Sequence, residues 1–242
     1  MGGYTEIDPE FQQVALDLQT AVVQGWKHSR WAIDKRPAGW NAVMIGERVL
    51  ALLLLAALLP FLILAGVIVV LLSRRCPLVA HARVGRNGKE IRVLKLRTMW
   101  SGAASKPGPF RYFVEDLRRE PVREVKKSDD PRVTSAFAAF CRRYSIDELP
   151  QLWHVVRGDL SLVGPRPLTA DELIEHYGAA ASEVLRVKPG LTGLWQVRGR
   201  SYLTYPQRRR LDLFLVRNWS FRLYTGILLA TIPSLLTGKD AW

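Results

Sequence analysis

The sequence is poor in the residues that build metal centres and disulfide frameworks. It contains two cysteines and four histidines among 242 residues. Cys76 and Cys141 have neither the spacing of metal ligands nor the dense pattern of a disulfide scaffold. No two histidines have the His-x-x-x-His spacing typical of a zinc site. The sequence therefore predicts neither a zinc site nor a disulfide framework, and we expect both thiols to be structural residues in a reducing compartment.

Charge is missing from one long stretch, because residues 49–72 contain no charged and no polar side chain. About 20 apolar residues suffice to cross a bilayer, and this stretch lies too far from the N-terminus to be a cleaved signal peptide. Pro60 lies at its midpoint, where proline removes a backbone hydrogen bond and bends a helix. Basic residues flank both ends, so the positive-inside rule favours neither direction. Two interpretations stay open: a re-entrant helix that turns at Pro60, and a kinked helix that crosses the membrane.

The overall charge is strongly positive, with 35 Lys and Arg against 22 Asp and Glu, although 48% of the residues are hydrophobic. A basic chain can bind nucleic acid, an anionic membrane surface or anionic substrates. Eight tryptophans and seven tyrosines beside the arginines favour a membrane interface, where such side chains settle at headgroup depth. We therefore expect membrane lipid, and no nucleic acid, among the partners.

Several secondary-structure elements follow from local patterns. Asn87-Gly88 between two apolar stretches predicts a β-hairpin. Helices are expected at residues 11–25, at 113–127 with a break at Pro121, and at 173–187, and a loop at 101–109. Residues 207–236 mix arginines with large apolar side chains, which is typical of helices that lie in a membrane interface.

Two adjacent carboxylates, Asp147 and Glu148, follow a pair of arginines. Ser145-x-x-Glu148 matches a helix capping box. In that interpretation both acids only stabilise the first turn of a helix, through the cap and the helix dipole. Pro150 favours a different register, with Asp147 at or near the cap, because proline is tolerated only in the first turn. In that register Asp147 lies at the positive end of the helix, which attracts phosphate. Two carboxylates can approach a diphosphate only with charge neutralisation, and we expect Mg²⁺ and arginines to provide it.

These stretches resemble the bacterial sugar transferases, the monotopic phosphoglycosyl transferases that begin glycan assembly on a polyprenyl carrier. The resemblance covers roughly residues 42–242 and includes long motifs in the family's order. The motifs lie at residues 83–88, 95–99, 130–134, 145–153, 158–167 and 188–200. They include the dyad Asp147-Glu148 and the loop Pro165-Arg166-Pro167.

The resemblance implies a two-step phosphoryl transfer. Asp147 would attack the β-phosphate of a UDP-sugar and release UMP, and polyprenyl phosphate would then attack the aspartyl-phosphosugar intermediate. Glu148 would hold Mg²⁺, and Arg142 would bind phosphate as a third catalytic residue. The substrate-binding residues implied by the family motifs are Lys95, Arg97, Pro165, Arg166, Pro167, Gln196 and Arg200.

The resemblance also implies a mainly α fold with a small β-hairpin, an α+β arrangement. Its parts would be an N-terminal cytosolic extension (1–41), a re-entrant membrane helix broken at Pro60 (42–75) and a catalytic domain with interfacial helices (76–242). The family breaks this helix at a Ser-Pro pair, whereas Leu59 precedes Pro60 here. Serine can bond to the freed backbone and leucine cannot, so the depth of the turn stays open.

The leading hypothesis is an enzyme on the cytoplasmic face of the bacterial inner membrane that starts an exopolysaccharide or related glycan. UDP-galactose and UDP-glucose are the favoured donors, because the C-terminal half resembles exopolysaccharide-initiating members. The alternatives are another lipid-phosphate transferase on the same scaffold, and an inactive membrane scaffold that recruits assembly proteins through residues 1–48. A homodimer is left open.

Overall fold

The computed structural model describes residues 40–100, 114–117, 133, 135–199 and 202–237, and of 114–117 only the backbone. The expected helix at 11–25 and loop at 101–109 lie outside these residues. The helices are α1 Trp40–Ser73, α2 Ala136–Arg143, α3 Leu152–Arg157, α4 Ala170–Glu172, α5 Ala181–Val184, α6 Leu194–Arg198, α7 Tyr205–Arg217 and α8 Phe221–Thr237. The strands are β1 Leu78–Val84, β2 Glu90–Leu96, β3 Val114–Leu117, β4 Ser161–Val163 and β5 Gly190–Thr192. The fold is mainly helical with small sheets, as expected.

The long helix α1 continues through Pro60 for 34 residues. Within the described chain it is the helix that is long and apolar enough to cross a membrane. Its apolar side chains are largely exposed, among them Leu53, Ile63 and Leu71. A core helix of a soluble protein buries such side chains, so this helix requires an apolar environment outside the protein.

One stripe of α1 nevertheless packs on the rest of the protein. Near its start, Trp40 and Ala51 belong to the main core, which also includes residues of α3, β4 and α8. Near its end, Ala65 and Val69 pack with Leu96 and Cys141. The two ends of one apolar helix therefore lie against the same folded unit.

The predicted hairpin is confirmed and forms part of a larger sheet. β1 and β2 pair antiparallel, with Leu78 opposite Leu96 and Val84 opposite Glu90. Asn87 and Gly88 have the positive φ angles of +58° and +76° that suit them to this turn. β3 adds to β1 in parallel, so the prediction of helix was wrong for residues 114–117. Those four residues pair with the open edge of β1, a long-range partner that overrides local helix propensity.

A second small sheet lies beside the main core. β4 and β5 pair in parallel, with Ser161 opposite Gly190 and Val163 opposite Thr192. Leu160 and Val163 are fully buried next to α3 and α8. This sheet leads directly into the loop that carries Arg166.

The helical prediction for residues 173–187 is only partly correct. The segment from Ala170 consists of α4, a π-helical turn at Leu173–Tyr177, a 3₁₀ turn at Gly178–Ala180 and then α5. Gly178 has a φ angle of +50°, which a regular helix does not allow, and this explains the break. In contrast, α8 is one helix of 17 residues that continues through Gly226 and Pro233.

Candidate active site

The acidic dyad lies in a short 3₁₀ helix at Ile146–Gln151 that leads into α3. Ser145 precedes it in the left-handed conformation, with a φ angle of +56°, and its side chain makes no capping hydrogen bond. The capping box is therefore absent, and the expected register with Asp147 at the α-helix cap is not adopted either. Proline cannot donate to an α-helical ladder, and α3 begins only after Pro150.

Glu148 lies between two cationic side chains instead of bonding back to the cap. Lys95 Nζ donates to Glu148 Oε1 at 2.9 Å, and Arg166 Nη1 lies 3.7 Å from the same oxygen. The three side chains are 18%, 20% and 23% exposed for Lys95, Glu148 and Arg166. Residues from β2, the 3₁₀ helix and the 164–168 loop therefore meet at one partly buried point.

Backbone hydrogen bonds fix the loop that carries Arg166. Gly164 N donates to Thr192 O at 2.9 Å, and Gly190 N donates to Pro165 O at 2.7 Å. A Cβ at Gly164 would lie only 2.6 Å from Lys188 O, so the two backbones approach as closely as they can. Arg166 therefore projects from a rigid support.

The Arg166 guanidinium is held in its charged form. Burial opposes the charge, but the carboxylates of Glu148, Glu172 and Asp147 outweigh burial and raise the pKa of Arg166 above its ordinary value. The guanidinium carbon also lies 5.8 Å from the centre of the Trp195 ring, within the range of a cation–π contact. Arg166 therefore offers a fixed positive charge next to the dyad.

A small cleft, partly open to solvent, contains this meeting point. Five of its lining residues belong to the predicted site: Lys95, Glu148, Arg166, Pro167 and Gln196. Gln151, His81 and Arg83 also line it and were missed from the sequence. Val79 lies opposite Lys95 in the β1–β2 register, so the period-2 pattern of β1 places His81 and Arg83 on the face of Lys95. That alternation is the signal that could have found them.

Asp147 is 8% exposed and lies close to Cys141. Burial, and secondarily the charge of Asp147, raise the pKa of the Cys141 thiol to about 11. Cys141 is therefore an inert thiol, as expected for a structural cysteine. Asp147 is the more enclosed acid of the dyad, and Glu148 is the one held by cations.

Arg142 lies in the last turn of α2, which packs on the 3₁₀ helix of the dyad. Its Nε atom is buried and makes no hydrogen bond within the described part of the chain. A buried guanidinium donor without an acceptor is costly. The position of Arg142 therefore suits an anionic ligand.

The remaining predicted residues lie elsewhere. Arg97 is buried, its Nε donates to Cys76 O at 2.7 Å, and it fastens the end of β2 to the turn after α1. Pro165 lines a neighbouring cavity with mainly apolar walls. Arg200 lies outside the described residues. Arg97 therefore has a structural contact that the sequence did not predict.

A second layer of side chains, also missed from the sequence, surrounds Arg166. Tyr205 OH donates to Glu172 Oε1 at 3.1 Å, and burial, with the charge of Glu172, raises the pKa of Tyr205 to about 12. The guanidinium carbon of Arg208 lies 4.8 Å from the centre of the Trp195 ring. No local motif predicts these contacts, because Tyr205 and Arg208 of α7 lie more than 30 residues after Arg166 and Glu172 in the chain.

The dyad can be tested for its fit to the expected Mg²⁺. No group of three or more His, Cys, Asp or Glu side chains lies together within the described ranges. Mg²⁺ commonly takes one or two carboxylates and completes its octahedron with water and substrate phosphates. Asp147 and Glu148 fit that second kind of site.

Comparison with known proteins gives consistent matches. A family model described as bacterial sugar transferase matches residues 41–238. The exopolysaccharide production protein ExoY of Sinorhizobium fredii is 37% identical over 213 residues, which cover 86% of this chain and 91% of ExoY. The UDP-glucose:undecaprenyl-phosphate glucose-1-phosphate transferase of Caulobacter vibrioides is 38% identical, with 83% of this chain and 73% of that protein covered. The undecaprenyl-phosphate galactose phosphotransferase of Salmonella typhimurium is 39% identical, but the match covers 67% of this chain and only 34% of that longer protein.

Proposed function

The chain belongs to the bacterial sugar transferase family, and on that premise we propose that it transfers a sugar 1-phosphate from a UDP-sugar to polyprenyl phosphate. The product would be the first lipid-linked sugar of an exopolysaccharide or related glycan. The observation that carries the proposal is the placement of Glu148 between Lys95 and Arg166, next to the enclosed Asp147. Cations fixed beside a carboxylate pair suit a diphosphate whose charge must be balanced.

In the first step, Asp147 would act as the nucleophile. A carboxylate oxygen of Asp147 forms a bond to the β-phosphorus, and the bond from that phosphorus to the bridging oxygen breaks. UMP leaves with the bridging oxygen and its electron pair. The sugar phosphate then remains on Asp147 as an acyl phosphate.

In the second step, an oxygen of polyprenyl phosphate would attack the same phosphorus and release the Asp147 carboxylate. Arg166 and Lys95 would hold the phosphoryl oxygens, since an arginine fork matches two of them and a lysine supplies a point charge. Arg142, with its buried Nε, would bind phosphate from the side of α2. Glu148 would keep both cations in place before substrate arrives.

We further propose that Glu148, with Asp147 beside it, holds Mg²⁺ when the UDP-sugar is bound. The ion would supply Lewis-acid stabilisation of the charge on the diphosphate. Lys95 and Arg166 would supply part of the same charge compensation.

The membrane arrangement is also a proposal: α1 dips into the bilayer from the cytoplasmic face and returns. Support comes from packing, because Ala51 and Val69 contact the same folded unit from the two ends of the apolar stretch. A straight crossing of the roughly 30 Å hydrocarbon core would carry the second end away from that unit. Pro60 is where α1 lacks a backbone donor and can bend. The exposed apolar side chains of α8, such as Leu229 and Leu236, would rest on the cytoplasmic surface of the same membrane.

The proposed donors are UDP-galactose and UDP-glucose, which match the sugars in the names of the Salmonella and Caulobacter relatives. The purified enzyme in detergent or nanodiscs should release UMP from one of them in the presence of Mg²⁺ and polyprenyl phosphate. UMP release that is absent for every UDP-sugar tested, with a folded protein, would favour the inactive scaffold. A panel that includes UDP-N-acetyl sugars identifies the donor, and the Asp147→Asn variant is the matched control.

A further inference from the structure

Glu47 is a buried carboxylate on the membrane helix, two residues before the apolar stretch begins. It is 4% exposed. Its Oε2 accepts three hydrogen bonds: from Ser161 Oγ at 2.7 Å, from Leu162 N at 3.1 Å and from Tyr224 OH at 2.8 Å. One side chain of α1 therefore joins β4 and α8, which lie more than 110 and 170 residues further along the chain.

The bond from Leu162 N replaces a strand partner. β4 pairs with β5 along one edge, through Ser161 and Val163, and the intervening Leu162 N–H points away from β5. A buried backbone donor needs an acceptor, and Glu47 supplies it. Glu47 thereby fixes the second edge of a strand that is only three residues long.

The next residue of α1, Arg48, lies against the turn before β4. Gly158 ends α3 with a φ angle of +84°, and a Cβ on it would collide with the guanidinium of Arg48. Glu47 and Arg48 thus contact both ends of the segment from Gly158 to Leu162. Two successive residues of the membrane helix therefore lie against this segment.

β4 leads without a break into the loop of the active site. Arg166 is four residues after Leu162, and its loop is bonded to β5 through Gly164 and Pro165. We propose that Glu47 is a positioning residue, which fixes β4 against the membrane helix and so holds Arg166 opposite Glu148. This inference rests on the proposed function for its effect on catalysis, but not for its effect on the structure of the loop.

The environment of Glu47 argues against a purely stabilising role. Its Oε1 is buried and makes no hydrogen bond within the described ranges. A side chain that served packing alone could be apolar, whereas removal of this carboxylate would leave the buried N–H of Leu162 and two hydroxyl groups without their acceptor. A residue retained only for packing would not need this carboxylate. A residue that must accept three converging donors does need it.

The test combines kinetics with hydrogen exchange on the full-length protein in nanodiscs. Glu47→Leu removes the acceptor at similar volume, whereas Glu47→Gln keeps an oxygen for the three donors. Tyr224→Phe removes one donor and keeps its ring, and Tyr202→Phe changes an exposed tyrosine as the matched control. We expect amide exchange in residues 159–168 to accelerate in Glu47→Leu, moderately in Tyr224→Phe, and not in Tyr202→Phe.

For UMP release, we expect Glu47→Leu to lower kcat on the order of 100-fold, as a displacement of about 1 Å does in other active sites, and Glu47→Gln to recover most of it. Combined with Arg166→Lys, Glu47→Leu should cost clearly less than the product of the two single losses, because both changes disturb the contact of the Arg166 guanidinium with the substrate phosphate. If Glu47→Leu does not fold, the cycle of Tyr224→Phe with Arg166→Lys replaces it. Fully multiplicative losses, or unchanged exchange in residues 159–168, would overturn the proposal. Wild-type protein that releases no UMP, while exchange still accelerates in Glu47→Leu, would refute the proposed function and leave the positioning of β4 intact.

Discussion

Replacing Arg166 by lysine separates the geometry of its guanidinium from its charge. Arg166 lies 3.7 Å from Glu148 Oε1 and 5.8 Å from the centre of the Trp195 ring, on a loop fixed by backbone bonds. Lysine keeps the positive charge and its attraction to Glu148. It loses the planar fork that can bind two phosphoryl oxygens and the stacking on Trp195.

The magnitude follows from the two lost interactions. A hydrogen bond to a charged group contributes about 1.5–3 kcal/mol, and a partly exposed cation–π contact about 0.5–1 kcal/mol. Lysine can still make one of the bonds, so a net loss of about 2 kcal/mol is expected, or roughly a 30-fold fall in kcat/KM. Alanine also removes the charge, and the fall should then approach 1000-fold, on the order of the loss of an oxyanion donor.

The assay measures UMP release from one UDP-sugar, and Arg217→Lys is the matched control. Arg217 makes a two-bond pair with Glu183, with both distances 2.9 Å, but its side chain is 61% exposed and does not line the cleft. An exposed pair contributes little, so Arg217→Lys should stay within about twofold of wild type. Wild-type kcat/KM in Arg166→Lys, or equal losses in both variants, would refute the assignment of Arg166 to phosphate binding.

Three further predictions concern the metal, acid stability and topology. Glu148→Gln should lose activity and weaken the dependence of the rate on Mg²⁺, because an amide is a poorer ligand for a hard cation; unchanged rate and metal response would contradict this role. Burial lowers the pKa of His154 below its ordinary 6.5, so the folded state stays neutral while the unfolded state takes up a proton. Stability should therefore fall as pH drops below about 6.5, by at most about 1.4 kcal/mol per pH unit from this group, and urea titrations of His154→Asn should show a flatter dependence. Single cysteines at Asn41 and at Lys89, in a background that lacks Cys76 and Cys141, should both resist a membrane-impermeant thiol reagent in intact cells, and labelling of only one of them would show a true crossing.

The residues of the candidate site could be predicted from the sequence because they lie in contiguous motifs. Asp147-Glu148 and Pro165-Arg166-Pro167 are local features, and the structure brings Glu148 and Arg166 together. The apolar helix and the Asn87-Gly88 hairpin could also be predicted from local sequence. Each depends on composition or turn geometry within a few residues.

The parts that sequence reasoning missed depend on distant contacts. The 3₁₀ geometry of the dyad reflects Lys95, which lies 53 residues from Glu148 and competes successfully with the capping box. The Nε2 of His154 accepts the N–H of Leu94, 60 residues earlier, and no local pattern indicates that contact. Glu47 showed no pattern at all, because its partners lie at least 114 residues away. Local propensity cannot encode such partners.

Detection of a covalent adduct tests the central claim most directly. Wild-type protein incubated with its UDP-sugar, without polyprenyl phosphate, should release UMP once per enzyme and carry a sugar phosphate on the peptide that contains Asp147. The adduct should disappear when polyprenyl phosphate is added, and Asp147→Asn should never form it. Turnover that requires both substrates together, with no adduct on that peptide under rapid quenching, would contradict the two-step mechanism.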